Sequence, residues 1–364
     1  MKVGIDCRFY ENKHTGISRY IYDLCYNLLK YDDLNLVLFV NANSPFLEDK
    51  NFEKCEKFIV KEKVFSILGL FTFGKIIDGY DIDLFHSTSF MIPFIKEKKY
   101  ISTIYDLIHI KSDEYNFMYR IYYELFVKRA LLNAEEIITI SNHSKKDLDK
   151  WLKYKKVNRI YLGVEKKFTQ GVGLSDSFYI NNVEMNNYIL YVGNNRKTKN
   201  IRRLIEAYYF SLVEYENLPQ LILTCNSDTY LDAYIQDHGL TEKVRFIPDL
   251  EDNEIIMLYY YATFFIFPSL YEGFGLPVLE AMSCGCPVAT SLVTSLPEIC
   301  GNAVMYFDPY DINSIKSVIL EMSTSYQLRK KFAEKGLEQA KKFSLEDMAF
   351  ETYEIYKKVF LLDN

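Results

Sequence analysis

Short β-branched or aromatic runs alternate with longer amphipathic stretches along the chain, the pattern of repeated βαβ units and parallel sheets. In the first half this alternation predicts strands at Val3–Asp6, Leu36–Val40, Phe58–Val60, Leu84–Ser87, Tyr100–Tyr105, Glu136–Ile140 and Ile160–Tyr161. Helices fall between them at Ile17–Leu29, Asn116–Leu132 and Lys145–Leu152. From Gly163 to Asn187 the chain is polar, carries glycines and loses its periodicity, so it reads as a linker. The rhythm then restarts with strands at Tyr188–Val192, Leu221–Cys225, Lys243–Ile247 and Phe264–Pro268, and helices at Ile201–Tyr215 and Asn253–Tyr261. Helical stretches at Ile312–Ser323, Ser325–Lys342 and Ser344–Leu361 close the chain, the last with Ser344 as N-cap and acidic residues in its first turn.

Two sheets are needed and no tandem repeat appears, so the fold class is α/β with two Rossmann-like domains, 1–165 and 166–345, followed by a helix at 346–364. The length of 364 residues agrees with two domains of roughly 150 residues each. An apolar content of 49%, with 31 Tyr and 26 Phe, excludes disorder and coiled coil. Seven cysteines without a CxxC pair, and no leader at Met1, read as a reduced cytoplasmic chain. Five histidines without zinc-type spacing argue against a metal.

The net charge of −6 disfavours nucleic acid, although residues 1–165 carry 25 basic against 23 acidic side chains and residues 166–364 carry 18 against 26. Lys145 to Arg159 is rich in lysine and reads as a solvated helix face, with contact to an anionic lipid surface as the alternative. The longest apolar run, Val64–Gly74, is too short to span a bilayer and reads as a buried segment ahead of an interfacial one.

Sheets of this kind bind ligands beyond the carboxyl ends of their strands, so two facing domains place a ligand in the cleft between them. The densest segment there is Pro268-Ser-Leu-Tyr-Glu-Gly-Phe-Gly-Leu-Pro-Val-Leu-Glu280. Gly273 and Gly275 allow a tight turn, Pro277 suits a helix start, and the helix beginning at Leu276 offers an anion site. Glu272 and Glu280 flank that concavity, where carboxylates suit sugar hydroxyls. A second constellation, Gly193-Asn-Asn-Arg196-Lys197-Thr-Lys199-Asn200, puts cations at a helix N-terminus, which suits a bound diphosphate better than the helix dipole. A third, Gly4-Ile-Asp6-Cys-Arg8 with Thr15-Gly16-Ile, makes a nest of backbone donors and lacks GxGxxG, which argues against a dinucleotide enzyme. His86, Tyr105, Asp106 and His109 lie at strand ends and are candidates for an acceptor hydroxyl. Asp81-Ile-Asp83 spells the D-x-D of metal-dependent sugar transferases, but it precedes a strand and is discounted.

These strings resemble the family-4 retaining glycosyltransferases of GT-B fold, over nearly the whole chain and most specifically from Glu272 to Val288. The resemblance implies a sugar nucleotide held mainly by the C-terminal domain, an acceptor on the N-terminal one, and a C-terminal helix that crosses back to it. Glu272 then contacts the donor sugar or phosphates, Glu280 the ribose, and Arg196 and Lys199 neutralise the leaving diphosphate in place of a metal. Gly16, Gly193, Asn194, Gly273, Phe274, Gly275 and Leu276 complete the donor set. Many relatives carry His-Asp where this chain has Tyr105-Asp106, so Asp106 is expected to be catalytic and the base is unassigned. The phosphate loop looks like that of bacterial mannosyltransferases of polysaccharide assembly. The expected co-substrate is therefore GDP-mannose, with no cofactor, and the acceptor a glycan or lipid-linked glycan at the cytoplasmic face of the inner membrane. Rival readings keep the fold: a UDP-sugar transferase, a sugar-nucleotide epimerase, or a non-catalytic protein that binds a glycan or a partner.

Overall fold

In the first unit the strands β1 (Lys2–Asp6), β2 (Asn35–Val40), β3 (Glu56–Ile59), β4 (Leu84–Ser87), β5 (Tyr100–Thr103), β6 (Glu136–Thr139) and β7 (Val157–Arg159) form one sheet. Their order is β3-β2-β1-β4-β5-β6-β7, every pair parallel. β4, β5 and β6 are buried at every position, as expected for a parallel sheet covered on both faces. The computed structural model describes residues 1–10, 15–62, 64–153, 155–168, 179–180 and 183–361. It divides into Met1–Gly163 with Ser344–Asn364, and Val164–Phe343.

The second unit repeats the plan. A two-residue antiparallel pair, β8 (Tyr179–Ile180) with β9 (Val183–Glu184), precedes it. The main sheet comprises β10 (Tyr188–Tyr191), β11 (Gln220–Leu223), β12 (Val244–Phe246), β13 (Phe264–Phe267), β14 (Val288–Ser291) and β15 (Met305–Phe307), in the order β12-β11-β10-β13-β14-β15. Every pair in it is parallel. Within the expected linker, residues 169–178 and 181–182 lie outside the described residues, as does 11–14 of the first glycine-bearing loop.

The last helix, Leu345–Leu361, begins where the sequence places its cap: Ser344 Oγ accepts from the Asp347 N–H at 3.0 Å. It packs against the helix Gly16–Leu28 and β4, inside the first unit. Three expectations change. The strand expected at Ile160–Tyr161 lies at Val157–Arg159, just ahead of it. The helix expected at Asn116–Leu132 is α-helical at Phe117–Tyr122, π-helical at Tyr123–Val127 and α-helical again at Lys128–Asn133. The Val64–Gly74 run is not simply buried. It contributes to a helix, Ile67–Asp78, that buries Leu70, Phe73 and Ile77 while Phe65, Ile67, Leu68 and Phe71 stay exposed.

Candidate active site

In the second unit the strand order reverses between β10 and β13, and the loops leaving their carboxyl ends lie where such sheets bind ligands. After β10 the chain turns at Gly193, which has φ +153°; a Cβ there would lie 2.6 Å from the Tyr191 hydroxyl oxygen. That hydroxyl donates to the Asn194 carbonyl at 2.8 Å, and Asn194 Oδ1 accepts from the Arg196 N–H at 3.2 Å. Lys197–Lys199 form one 3-10 turn, and Asn200, at φ +62°, opens the helix Ile201–Glu214. The cations therefore sit one turn ahead of the helix.

Asn200 stitches this loop to its neighbours. Its Nδ2 donates to the carbonyls of Pro268 (3.1 Å) and Pro309 (2.9 Å), while the Leu270 N–H donates to the Thr198 carbonyl (2.8 Å). The loop after β13 closes at Gly275, with φ +102°, which caps the helix Leu276–Ser283 with Pro277 at its second position. A Cβ at Gly275 would lie 2.7 Å from Leu296 Cδ2. The helix start turns its positive dipole end toward the same loop.

The two loops meet at one ion pair. Lys199 Nζ donates to Glu272 Oε1 at 2.6 Å, with the two side chains 19% and 12% exposed. Lys199 also lies 5.2 Å from the Phe267 ring centroid. A pair this close to water is held in register yet open to exchange, so an arriving anion competes for the ammonium. Arg196, on the same turn, is exposed. Glu280 is different: it is 5% exposed and its Oε2 accepts from the Tyr259 hydroxyl at 3.2 Å. The Phe274 ring is buried edge-on to Phe343, so that side chain belongs to the core. Three residues of this site were not singled out from sequence as its parts. Asn200 follows Lys199 in the loop after β10, and Thr294 and Ser295 approach Glu272 from a loop more than twenty positions away.

In the first unit the expected acceptor residues differ in burial: His86 is buried, and Tyr105, Asp106 and His109 are partly exposed. His86 is fully buried, with Nδ1 2.6 Å from the Tyr356 hydroxyl and Nε2 2.8 Å from Thr103 Oγ1, which in turn meets the Tyr20 hydroxyl at 3.0 Å. Burial lowers its pKa to about 3, so it is neutral, and it ties the last helix to the sheet rather than serving an acceptor. The Tyr105 hydroxyl donates to the Thr88 carbonyl at 2.9 Å, and burial pushes the phenol well up. Asp106 Oδ1 accepts from the Ile108 N–H at 2.9 Å. The His109 ring packs among Phe90, Tyr115, Tyr119 and Tyr123, with Nδ1 2.9 Å from the Tyr123 hydroxyl. Gly16 starts the first helix, whose N-cap Thr15 accepts from the Ser18 N–H. Asp83 accepts from the Lys2 backbone N–H at 2.7 Å, which puts Asp81-Ile-Asp83 at the opposite, amino-terminal edge of the sheet. Among the described residues no group of three metal-ligating side chains converges.

Two family models cover the chain: Glycosyltransferase Family 4 over residues 14–168 and Glycosyl transferases group 1 over residues 175–339. An Escherichia coli protein named O-antigen chain mannosyltransferase B is 31% identical over 290 residues, 75% of this chain and 74% of that one. Salmonella typhimurium RfbU, also named an O-antigen chain mannosyltransferase, is 28% identical over 64% of this chain and 63% of its own. Among solved structures, the sucrose-phosphate synthase of Thermosynechococcus elongatus superposes with a TM-score of 0.80 at 19% identity, over 100% of both chains. Anabaena HepE, solved with UDP-glucose, gives 0.75 at 16% over 98% of this chain and 100% of its own. With both units matched and the E. coli relative aligned across most of each chain, the protein belongs to the family-4 glycosyltransferases and is a glycosyltransferase of GT-B fold.

Proposed function

We infer that this enzyme moves mannose from GDP-mannose, with retention, to a glycan or lipid-linked glycan during assembly of a cell-surface polysaccharide, at the cytoplasmic face of the membrane. The observation that carries the reading is the Lys199–Glu272 pair beside Arg196, at the ends of β10 and β13 and next to the helix start at Leu276. A diphosphate entering there draws Lys199 away from Glu272 and frees that carboxylate for the sugar. As the bond to the anomeric carbon breaks, negative charge grows on the departing diphosphate, and Arg196, Lys199 and the helix dipole stabilise it. Glu280 is assigned to the ribose, Asp106 to the acceptor, and no metal or cofactor is required. The names of the E. coli and Salmonella relatives support mannose and a polysaccharide product.

The reading includes contact with an anionic bilayer surface, because a lipid-linked acceptor lives there. The Lys145–Arg159 stretch offers exposed Lys146, Lys150, Lys153 and Lys156 to such a surface, while Lys145 pairs with Asp149 and the Val157 carbonyl and Arg159 lies on the Tyr161 ring. An apolar face for the same surface is the exposed Phe65, Leu68 and Phe71 with Phe117, Met118 and Leu125, joined through the Phe71–Phe94 and Phe94–Phe126 ring contacts. Exposed Lys75, Arg120 and Arg129 accompany these side chains on the same helices. Among the described residues no helix is long and apolar enough to cross a membrane. Sedimentation with phosphatidylglycerol vesicles should carry the protein down, and Leu68→Asp with Phe117→Asp should release it; equal pelleting of the double variant overturns this face.

A thermal-shift screen against GDP-, UDP-, dTDP- and ADP-sugars tests the donor, since a ligand that binds the folded state raises its stability by mass action. GDP-mannose should shift the transition and then support transfer. A UDP-sugar shifting it alone overturns the donor. Binding without transfer to any glycan acceptor favours the non-catalytic reading, and an acceptor-independent product favours the epimerase.

A further inference from the structure

The geometry points to Thr294 and Ser295 as positioning residues for Glu272, holding its backbone from both sides so that its carboxylate stays on Lys199. The inference rests on the donor-site reading above. β14 ends at Ser291, and the loop after it returns over the Glu272–Gly275 turn. Thr294 Oγ1 accepts from the Glu272 N–H at 3.1 Å. The Ser295 hydroxyl, fully buried, lies 2.9 Å from the Glu272 carbonyl and 3.1 Å from that of Phe274, and its one proton is shared between them. Both polar backbone groups of Glu272 are thus met by side chains of consecutive residues in a distant loop.

Thr294 does this at a cost. Its φ is +54°, a region where a β-branched side chain crowds its own backbone, so the conformation persists only because the surroundings impose it. Asn200, at φ +62° on the other side of the ion pair, tolerates that region far better because of its short amide side chain. Glycine fits such a position without strain, so what threonine adds there is its hydroxyl. The hydroxyl explains the choice. It fixes the Glu272 amide, and through it the carboxylate that Lys199 must release when a diphosphate arrives.

Three variants separate positioning from packing. Thr294→Val keeps the shape and removes the acceptor, Thr294→Ser keeps the acceptor, and Thr294→Gly removes both the strain and the hydroxyl. Hydrogen exchange, read on a peptide spanning residues 268–276, needs no substrate. Exchange there should quicken by about tenfold in Thr294→Val, as loss of one local hydrogen bond allows, and return to the wild-type rate in Thr294→Ser. With whichever sugar nucleotide the wild-type enzyme accepts, Thr294→Val should lose kcat more than donor KM rises, and Thr294→Ser should restore it. Thr294→Gly should be at least as heat-stable as wild type yet slower, so stability and rate move in opposite senses. Unchanged exchange and kcat in Thr294→Val, or activity that simply follows stability through the series, overturns the inference. Failure of the wild-type enzyme to transfer from any sugar nucleotide instead overturns the functional reading, and the exchange result then decides the bracing alone.

Discussion

Lys199 and His86 both sit near the carboxyl ends of central parallel strands, one in each unit, and in sequence both are candidates for chemistry. Lys199 keeps part of its surface in water and is held by one exchangeable partner, Glu272. His86 has none of its surface in water, and both ring nitrogens are engaged by Tyr356 and Thr103. The position at a strand end is therefore permissive only. It becomes a site where side chains keep charge that a ligand can take over, and it becomes structure where neighbours have already satisfied every polar atom. In the first unit the partner that closes the strand ends is the last helix, through Tyr356; in the second, the loop after β14 braces the turn and leaves the ion pair accessible.

The largest test of that contrast is removal of the second unit's cations. Lys199→Ala should lower turnover by about two to three orders of magnitude, the usual effect of deleting one preorganised charge-stabilising group. Arg196→Ala should act in the same direction. Initial rates of glycosyl transfer at saturating donor measure both. The combination of Lys199→Ala with Glu272→Gln should be strongly non-additive, because the two side chains share one contact. Wild-type turnover in Lys199→Ala would put both units on the same footing and dissolve the comparison.

How far this contrast was legible beforehand differs by unit. The Gly193–Asn200 and Glu272–Glu280 strings are local, and their turn glycines and cations announce a strand-end site without knowledge of the fold. Thr294 could not be found that way, because its partner is 22 positions off and its positive φ leaves no mark in the residue type. His86 is not legible from sequence, since a lone histidine after a hydrophobic run is ambiguous until the residue opposite is known, and Tyr356 is 270 positions away. Element boundaries failed for related reasons. The helix Ile67–Asp78 is apolar on nearly all sides, so no period stands out, and three-residue edge strands such as β15 are too short to show alternation. The helix Leu345–Leu361 was clear because its cap and first-turn acids are written in consecutive residues.

A smaller effect probes the closed side. His86→Gln breaks at least one of two buried hydrogen bonds and should cost about 1–3 kcal/mol in denaturant unfolding, while kcat per folded molecule stays unchanged. Loss of kcat in a folded variant would return His86 to the chemistry. The same residue makes stability depend on pH with a defined sign. Folded His86 stays neutral down to about 3, whereas the unfolded chain's imidazole takes up a proton below about 6.5. Unfolding thus absorbs a proton in that window, so stability is lost as pH falls from roughly 6.5 toward 3, with a limiting slope of about 1.4 kcal/mol per pH unit from this group. Glu56, Glu124 and Glu136 have lowered pKa values and add their own losses at the acid end. The difference between wild type and His86→Gln from pH 6.5 to 5 isolates the histidine, and parallel curves there would contradict its burial as a neutral base.

The least effect of all is expected at the motif that looks most like a metal site. Asp81 is fully exposed and lies 3.7 Å from Lys2 Nζ, a distance at which a solvated pair contributes little. Asp83 spends one oxygen on the Lys2 backbone N–H, at the end of β1 remote from its carboxyl-terminal loops. Asp81→Asn should therefore change stability by less than about 0.5 kcal/mol, and transfer rates with and without EDTA should match wild type. A variant that lost turnover, with added Mg²⁺ or Mn²⁺ restoring it, would move the chemistry to the amino-terminal edge of the first sheet. Strand polarity argues against that outcome: ligand loops gather at the carboxyl ends because the βα connections there open toward solvent with free backbone donors, while the amino ends meet the helix-to-strand returns.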